Sequence, residues 1–261
     1  MTGATMLEVE GLSKRFGGLA AVDDLSFSVA EGETFGIAGP NGAGKTTLFD
    51  AITGLTRASG GRIVFAGAEI QARSSHGICH RGVARTFQIP AVFPEHTVLG
   101  NIVVGAYFGR RSRGVPGLGF DDDTVQRARD AAAFVGLDER LQAVAGSMSL
   151  FDKKRLMIAS AIATNPLLLM LDEPVGGLNP GEVDAVLDLV ARVRGSGVTV
   201  ILIEHVMRAL MAISDRVMVM NHGRLLFLGT PADVQRHEEV IRVYLGTESA
   251  SDAVGPGGPD A

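Results

Sequence analysis

The chain has 261 residues, of which 46% are hydrophobic and 20% charged, with a formal net charge of -5 and a single cysteine. This is the composition of a globular chain long enough to bury its own core, and a fold stapled by disulfides is excluded because Cys79 has no partner within the sequence. The mild acidity supplies no general basic sheath for a nucleic-acid backbone, so no nucleic acid is expected as a partner.

Met1 to Leu12 carries Glu8 and Glu10 and lacks a basic stretch leading into an apolar run, so no secretory signal is read there. The next segments, to Ala38, alternate in short runs such as Leu25-Ser26-Phe27-Ser28-Val29 and close on the apolar Phe35-Gly36-Ile37-Ala38, which predicts strands. A glycine-rich turn and a helix over Lys45 to Ile52 follow, with Gly54 as its stop and a strand at Arg62 to Phe65. A looser segment comes next. From Pro90 to Ser147 the patterning is helical, interrupted by a loop-like run from Gly109 to Gly117 that contains Arg110, Arg111 and Arg113. His76, Cys79 and His80 fit no structural zinc spacing.

The second half alternates regularly. A helix is expected over Leu156 to Ala163, opened by a capping box of Ser149 with Asp152, then a strand at Leu167 to Leu171. Apolar residues at helical spacing follow Pro180, with Gly195 as terminator. Val198 to Ile203 is a second apolar strand, a helix starts near His205, and Arg216 to Met220 is a third strand. After the turn Asn221-His222-Gly223 come Leu225 to Leu228 and a helix capped by Thr230-Pro231. Strands apolar on both faces that alternate with helices imply a parallel sheet covered on both sides. Glu248 to Ala261 has the composition of a disordered tail. The longest uncharged stretch, Leu156 to Leu171, is too short and too broken by Asn165-Pro166 to span a bilayer, so a cytoplasmic protein is expected.

Gly39-Pro40-Asn41-Gly42-Ala43-Gly44-Lys45-Thr46 fits G-x-x-x-x-G-K-[ST] and sits between a strand and a helix, as a phosphate-binding loop must. Backbone amides would encircle an anion, Lys45 would reach the β- and γ-phosphates, and Thr46 would ligate Mg²⁺. The strand ending in Asp172-Glu173 delivers two carboxylates to the sheet edge where such folds bind ligands: Asp172 for Mg²⁺, Glu173 to orient or deprotonate the attacking water.

On these motifs the sequence resembles the ATP-binding subunits of ABC transporters, from about Met6 to Gly246. The resemblance implies an α/β P-loop NTPase core over 1–89 and 148–246, an N-terminal antiparallel β subdomain, a helical insert over 90–147 and a tail over 247–261. It implies ATP and Mg²⁺ as cofactors. In Arg85-Thr86-Phe87-Gln88, Gln88 would touch Mg²⁺ or the lytic water. In Ile203-Glu204-His205, His205 would bond the γ-phosphate, and Gly177-Leu178-Asn179-Pro180 resembles the family's D-loop. Phe16 would stack on adenine, and Thr47 would extend the nucleotide-binding set.

The segment Met148-Ser149-Leu150-Phe151-Asp152 departs from the family's Leu-Ser-Gly-Gly-Gln run, with Phe151 for a glycine and Asp152 for the glutamine. Ser149 would contact nucleotide in trans, at the partner's site. Implied partners are a second ATPase subunit of like or unlike chain, transmembrane permease subunits and, indirectly, an external solute-binding protein, at the inner face of the cell membrane. Ile203 to Met207, Ile213 to Arg216 and Val240 to Gly246 are most similar to branched-chain amino acid importers. Urea or short-amide import, and service to a soluble assembly scaffold, remain open as alternatives.

Overall fold

The computed structural model describes residues 4–109 and 120–243. The arginines at 110, 111 and 113, the tail, and Tyr244 to Gly246 lie outside them. In chain order the elements are β1 (Thr5–Phe16), β2 (Leu19–Ala30), β3 (Thr34–Ala38), α1 (Lys45–Ile52), β4 (Gly60–Phe65), β5 (Ala68–Glu69), α2 (Ser75–Cys79), β6 (Val83–Arg85), α3 (Val98–Phe108), α4 (Asp122–Phe134), α5 (Leu150–Ala163), β7 (Leu168–Asp172), α6 (Pro180–Gly195), β8 (Thr199–Ile203), α7 (Met207–Ile213), β9 (Arg216–Asn221), β10 (Arg224–Gly229) and α8 (Pro231–Arg236). No helix among the described residues is long and apolar enough to cross a membrane.

Two sheets form. One is antiparallel in the order β2-β1-β4-β5; the other runs β10-β9-β3-β8-β7-β6, parallel except for the terminal β9–β10 hairpin. Strands β3, β7 and β8 are buried at every position, as their unbroken apolar runs require. Their period of two sorts side chains between two cores. Phe35, Ile37, Leu168, Met170, Ile201 and Ile203 face the antiparallel sheet, with Leu48, Phe49 and Ile52 of α1 between the layers. Leu169, Leu171, Val200 and Leu202 face the helices of the other side. Phe27 stacks on Phe35 at 5.4 Å between centroids, which ties the two sheets together.

Helix α3 lies against α5 through Gly105, where a Cβ would come within 2.2 Å of the Ser160 carbonyl oxygen. The loop before α3 is held by Asn101, whose amide accepts from Phe93 N–H and donates to the Phe93 and Thr97 carbonyls.

Several elements differ from their sequence reading for identifiable reasons. Helix α5 begins at Leu150, where the capping reading of Ser149 puts its start and ahead of the apolar run from Leu156, because the Ser149 hydroxyl accepts from Asp152 N–H at 3.1 Å and caps it there. The reciprocal half of that box is missing, since the Asp152 carboxylate turns to Arg140 and Arg155. Helix α6 includes Gly195, and the left-handed residue that reverses the chain is Gly197. Helix α7 begins at Met207, leaving His205 on the loop. The segment read as loose contains β6, a three-residue strand too short to show any periodicity.

Candidate active site

Strands β3, β6, β7 and β8 are parallel neighbours, so the segments that leave their carboxyl ends emerge on one edge of the sheet. Those segments carry Gly39 to Thr46, Gln88, Glu173 and His205. Residues as far apart as 39 and 205 thus converge on one place through strand order alone.

The loop after β3 needs its glycines. A Cβ on Gly39 would lie 2.3 Å from the Met220 carbonyl oxygen, and one on Gly44, at φ 96°, would lie 2.1 Å from the Ala21 carbonyl oxygen. The loop is thereby pressed between β2 and the β9–β10 turn, where Gly223 N–H donates to Ala43 O at 3.0 Å and Asp23 N–H to Gly223 O at 2.9 Å. Gly44 opens α1 with no side-chain cap, leaving first-turn amides turned toward the loop's interior. Lys45 Nζ donates to Gly39 O at 2.6 Å and Pro40 O at 3.0 Å. Burial lowers the Lys45 pKa, an effect that the carboxylates of Glu173 and Asp172 oppose.

A cleft of about 500 Å³ opens over this loop, lined by Phe16, Asn41, Gly42, Ala43, Gly44, Lys45, Thr46, Thr47, Gln88, Glu173 and His205. Eleven positions singled out from sequence therefore meet in one cavity. Gly39, Pro40, Asp172 and Ser149 do not line it. Gly39 and Pro40 form its floor through their carbonyls to Lys45, and Ser149 sits at the exposed start of α5. Phe16 is 52% exposed, with Lys14 Nζ 4.6 Å above its ring, so one aromatic face stands at the rim.

Glu173 lies between two polar side chains. Gln88 Nε2 donates to its Oε2 at 2.7 Å, and His205 Nε2 lies 2.8 Å from its Oε1. Asp172 lies beneath, buried, and its Oδ2 accepts from Arg85 at 2.9 Å. The same guanidinium reaches Asp50 at 2.5 Å. Burial raises the Asp172 pKa, and Arg85 pulls it part of the way back.

Sequence reading missed the support beneath these groups. Arg85 belongs to a motif it quoted, but nothing in spacing tells that its side chain bridges Asp50 and Asp172, 35 and 87 residues away. Lys154, whose ammonium donates to the Glu173 carbonyl at 2.7 Å, and Glu204, which takes Val175 N–H at 2.7 Å, were equally invisible. His222 joins the cleft wall from the β9–β10 turn, where its φ of 49° and the 78° of Gly223 fit a tight hairpin. At the start of α5, Arg155 stacks over Phe151 at 4.5 Å and shares Asp152 with Arg140. These arginines, outweighing the effect of burial, hold the Asp152 carboxyl below its usual pKa.

An amide-lined loop with a lysine, a hydroxyl and a carboxylate held within reach can grip a polyphosphate and present a base to a water at its end. Comparison with known proteins agrees with this chemistry. The ABC transporter family model matches residues 22–176, and the model for the branched-chain amino acid ATP-binding cassette transporter matches 224–250. The high-affinity branched-chain amino acid transport ATP-binding protein BraF of Pseudomonas aeruginosa is 41% identical over 250 residues, 92% of this chain and 98% of that protein. Its Escherichia coli counterpart LivG is 37% identical over 249 residues with the same coverage. Among solved structures, the ADP conformation of MJ1267, an ATP-binding cassette of an ABC transporter, superposes with a TM-score of 0.85 at 30% identity over 93% of this chain and 99% of that one. With its phosphate loop, its carboxylate pair and these relatives, the chain belongs to the ATP-binding cassettes of the ABC transporter family.

Proposed function

We propose that this ATPase energises import of branched-chain or related amino acids, working on the cytoplasmic face of the membrane with a second ATPase subunit, permease subunits and an external binding protein. The observation that carries the catalytic part is the single cleft in which Glu173 is held between Gln88 and His205 above the phosphate loop. The loop amides and Lys45 bind the β- and γ-phosphates, Phe16 stacks on the adenine, and Glu173 orients the attacking water and receives its proton. His205 contacts the terminal phosphate, where charge shifts during cleavage, and Gln88 registers its presence. The Thr46 hydroxyl and, through water, Asp172 would hold Mg²⁺ with help from Gln88. Thr46 and Gln88 both line the cleft over the phosphate loop, and their oxygen donors, with the Asp172 carboxylate beside Glu173, suit such an ion. When bound, it neutralises phosphate charge.

The segment around Gln88 adjoins an apolar groove of about 280 Å³ lined by Leu55, Ile78, Cys79, Phe87, Ala91 and Met157, with Ile89 80% exposed beside it. This favours a permease helix with an apolar face over a soluble scaffold as the partner that senses the nucleotide. Ser149 is committed to capping α5, and Phe151 stands where the family carries glycine. We therefore expect the partner's site, completed by this chain, to be weaker than the site on Lys45 and Glu173. Purification from membranes tests the whole reading. Permease subunits should accompany the chain, and its ATPase should respond to a binding protein loaded with leucine, isoleucine or valine. Recovery with a soluble assembly complex, or a response to urea instead, contradicts it.

A further inference from the structure

Glu173 occupies a backbone conformation unusual for any residue but glycine, with φ 49°. Holding a non-glycine residue there costs about 1–3 kcal/mol, so its surroundings must impose it. They do so from both sides of the residue. Its N–H donates to Ile203 O at 2.9 Å, continuing the β7–β8 ladder, and its carbonyl accepts from Lys154 Nζ at 2.7 Å, with Gly176 N–H more distant at 3.3 Å. Lys154 reaches there from the second turn of α5 and is only 3% exposed. Burial pulls its pKa down, while the carboxylates of Glu204 and Glu173 draw it back up. An ammonium taken out of water costs several kcal/mol, so burying one here is weak evidence of a stabilising role. A placement role accounts for the lysine where stability does not.

We propose that Lys154 is a positioning residue whose ammonium clamps the Glu173 carbonyl, so that the Glu173 side chain leaves β7 toward Gln88, His205 and the end of the bound polyphosphate. The inference rests on the reading of Glu173 as the group that orients the attacking water. It also makes α5 a mechanical neighbour of the base: a shift of that helix against β7 acts on Glu173 through one hydrogen bond.

The test compares steady-state MgATP hydrolysis by the assembled complex for the wild type, Lys154→Met, Lys154→Arg and Glu173→Gln. Displacing a reacting group by about 1 Å costs up to about 100-fold, so Lys154→Met should lower kcat by about 10- to 100-fold while leaving KM within about twofold. Lys154→Arg keeps the donor and should recover most of the lost kcat. In the Glu173→Gln background, Lys154→Met should cause no further loss, since the lysine acts only through that carboxylate. A wild-type kcat for Lys154→Met overturns the inference, as does a loss confined to KM or a failure of arginine to recover activity. Should Lys154→Met not assemble, Lys154→Ala, which likewise removes the donor, decides by the same criterion. Wild-type turnover in Glu173→Gln overturns the reading of Glu173 and the inference together; loss in that variant beside an unaffected Lys154→Met overturns the inference alone.

Discussion

Arg85→Met removes the one guanidinium that joins Asp50 to the buried Asp172. The side chain is 5% exposed and packs between Phe49 and Phe87, with centroid distances of 5.3 and 5.0 Å. Breaking a buried ion pair by deleting one partner costs about 3–5 kcal/mol. Part of that loss is the two ring contacts, about 0.5–1 kcal/mol each, which methionine replaces incompletely. The rest is the unpaired Asp172 carboxylate, and it depends on pH. Burial already raises the Asp172 pKa, and without Arg85 nothing in direct contact opposes that shift. A carboxyl group whose folded pKa exceeds its unfolded value binds more protons when folded, so stability falls as pH rises through the window between the two. The expected loss is therefore about 4 kcal/mol at pH 8, where the group is charged or is held neutral at a cost, and smaller at pH 5, nearer the unfolded value. Urea denaturation at the two pH values, each against wild type, measures both. A loss under about 1 kcal/mol at both, or a larger loss at pH 5, refutes the electrostatic account of Arg85.

Gly44→Ala places a Cβ against the Ala21 carbonyl oxygen, whereas Gly42→Ala, at φ 78°, meets nothing within 4 Å. Both variants bear the strain of a left-handed residue, about 1 kcal/mol, but Gly44→Ala should lose clearly more in thermal unfolding, and equal losses contradict the packing described. Phe151→Gly in the assembled complex should raise ATPase at the site that Ser149 completes; an unchanged rate denies this phenylalanine any energetic role. Asp152→Asn should destabilise by about 2 kcal/mol near pH 7, where hydrogen bonds from Arg140 and Arg155 meet a charged acceptor. Because the folded pKa of Asp152 lies below its unfolded value, that deficit should shrink as pH falls below about 4, and denaturation curves showing a constant deficit reject the assignment.

The sequence was most informative where one strand or turn carried its own signal. The run Phe35 to Ala38 before Gly39, and Leu167 to Leu171 before Asp172, named both strands and chemistry, because a buried parallel strand must be apolar on both faces and its carboxyl end must present the polar groups. Helix α1 was legible for a related reason: Lys45 opens it and Gly54, at φ 71°, follows its end. Strand β6 escaped because three residues show no period, yet it is the strand that aims Gln88 at Glu173. Strand β1 hid its length because its pairing slips around Leu12 to Arg15, which breaks the alternation. What linear spacing could not reveal was the layer under the site. Lys154 resembles any helical surface lysine and Glu204 any strand-ending acid, and only the packing of α5 against β7 and β8 buries both beside Glu173.

In this account the turn over residues 39–46 grips an ATP whose terminal phosphate is removed by water at Glu173. The most direct test measures phosphate release and equilibrium MgATP binding for the purified chain with its partner subunits, beside a Lys45→Ala variant. Binding and release in the first, with both lost in the second, are expected. No affinity in the wild type, or equal turnover in the variant, would leave the cleft without the role assigned to it.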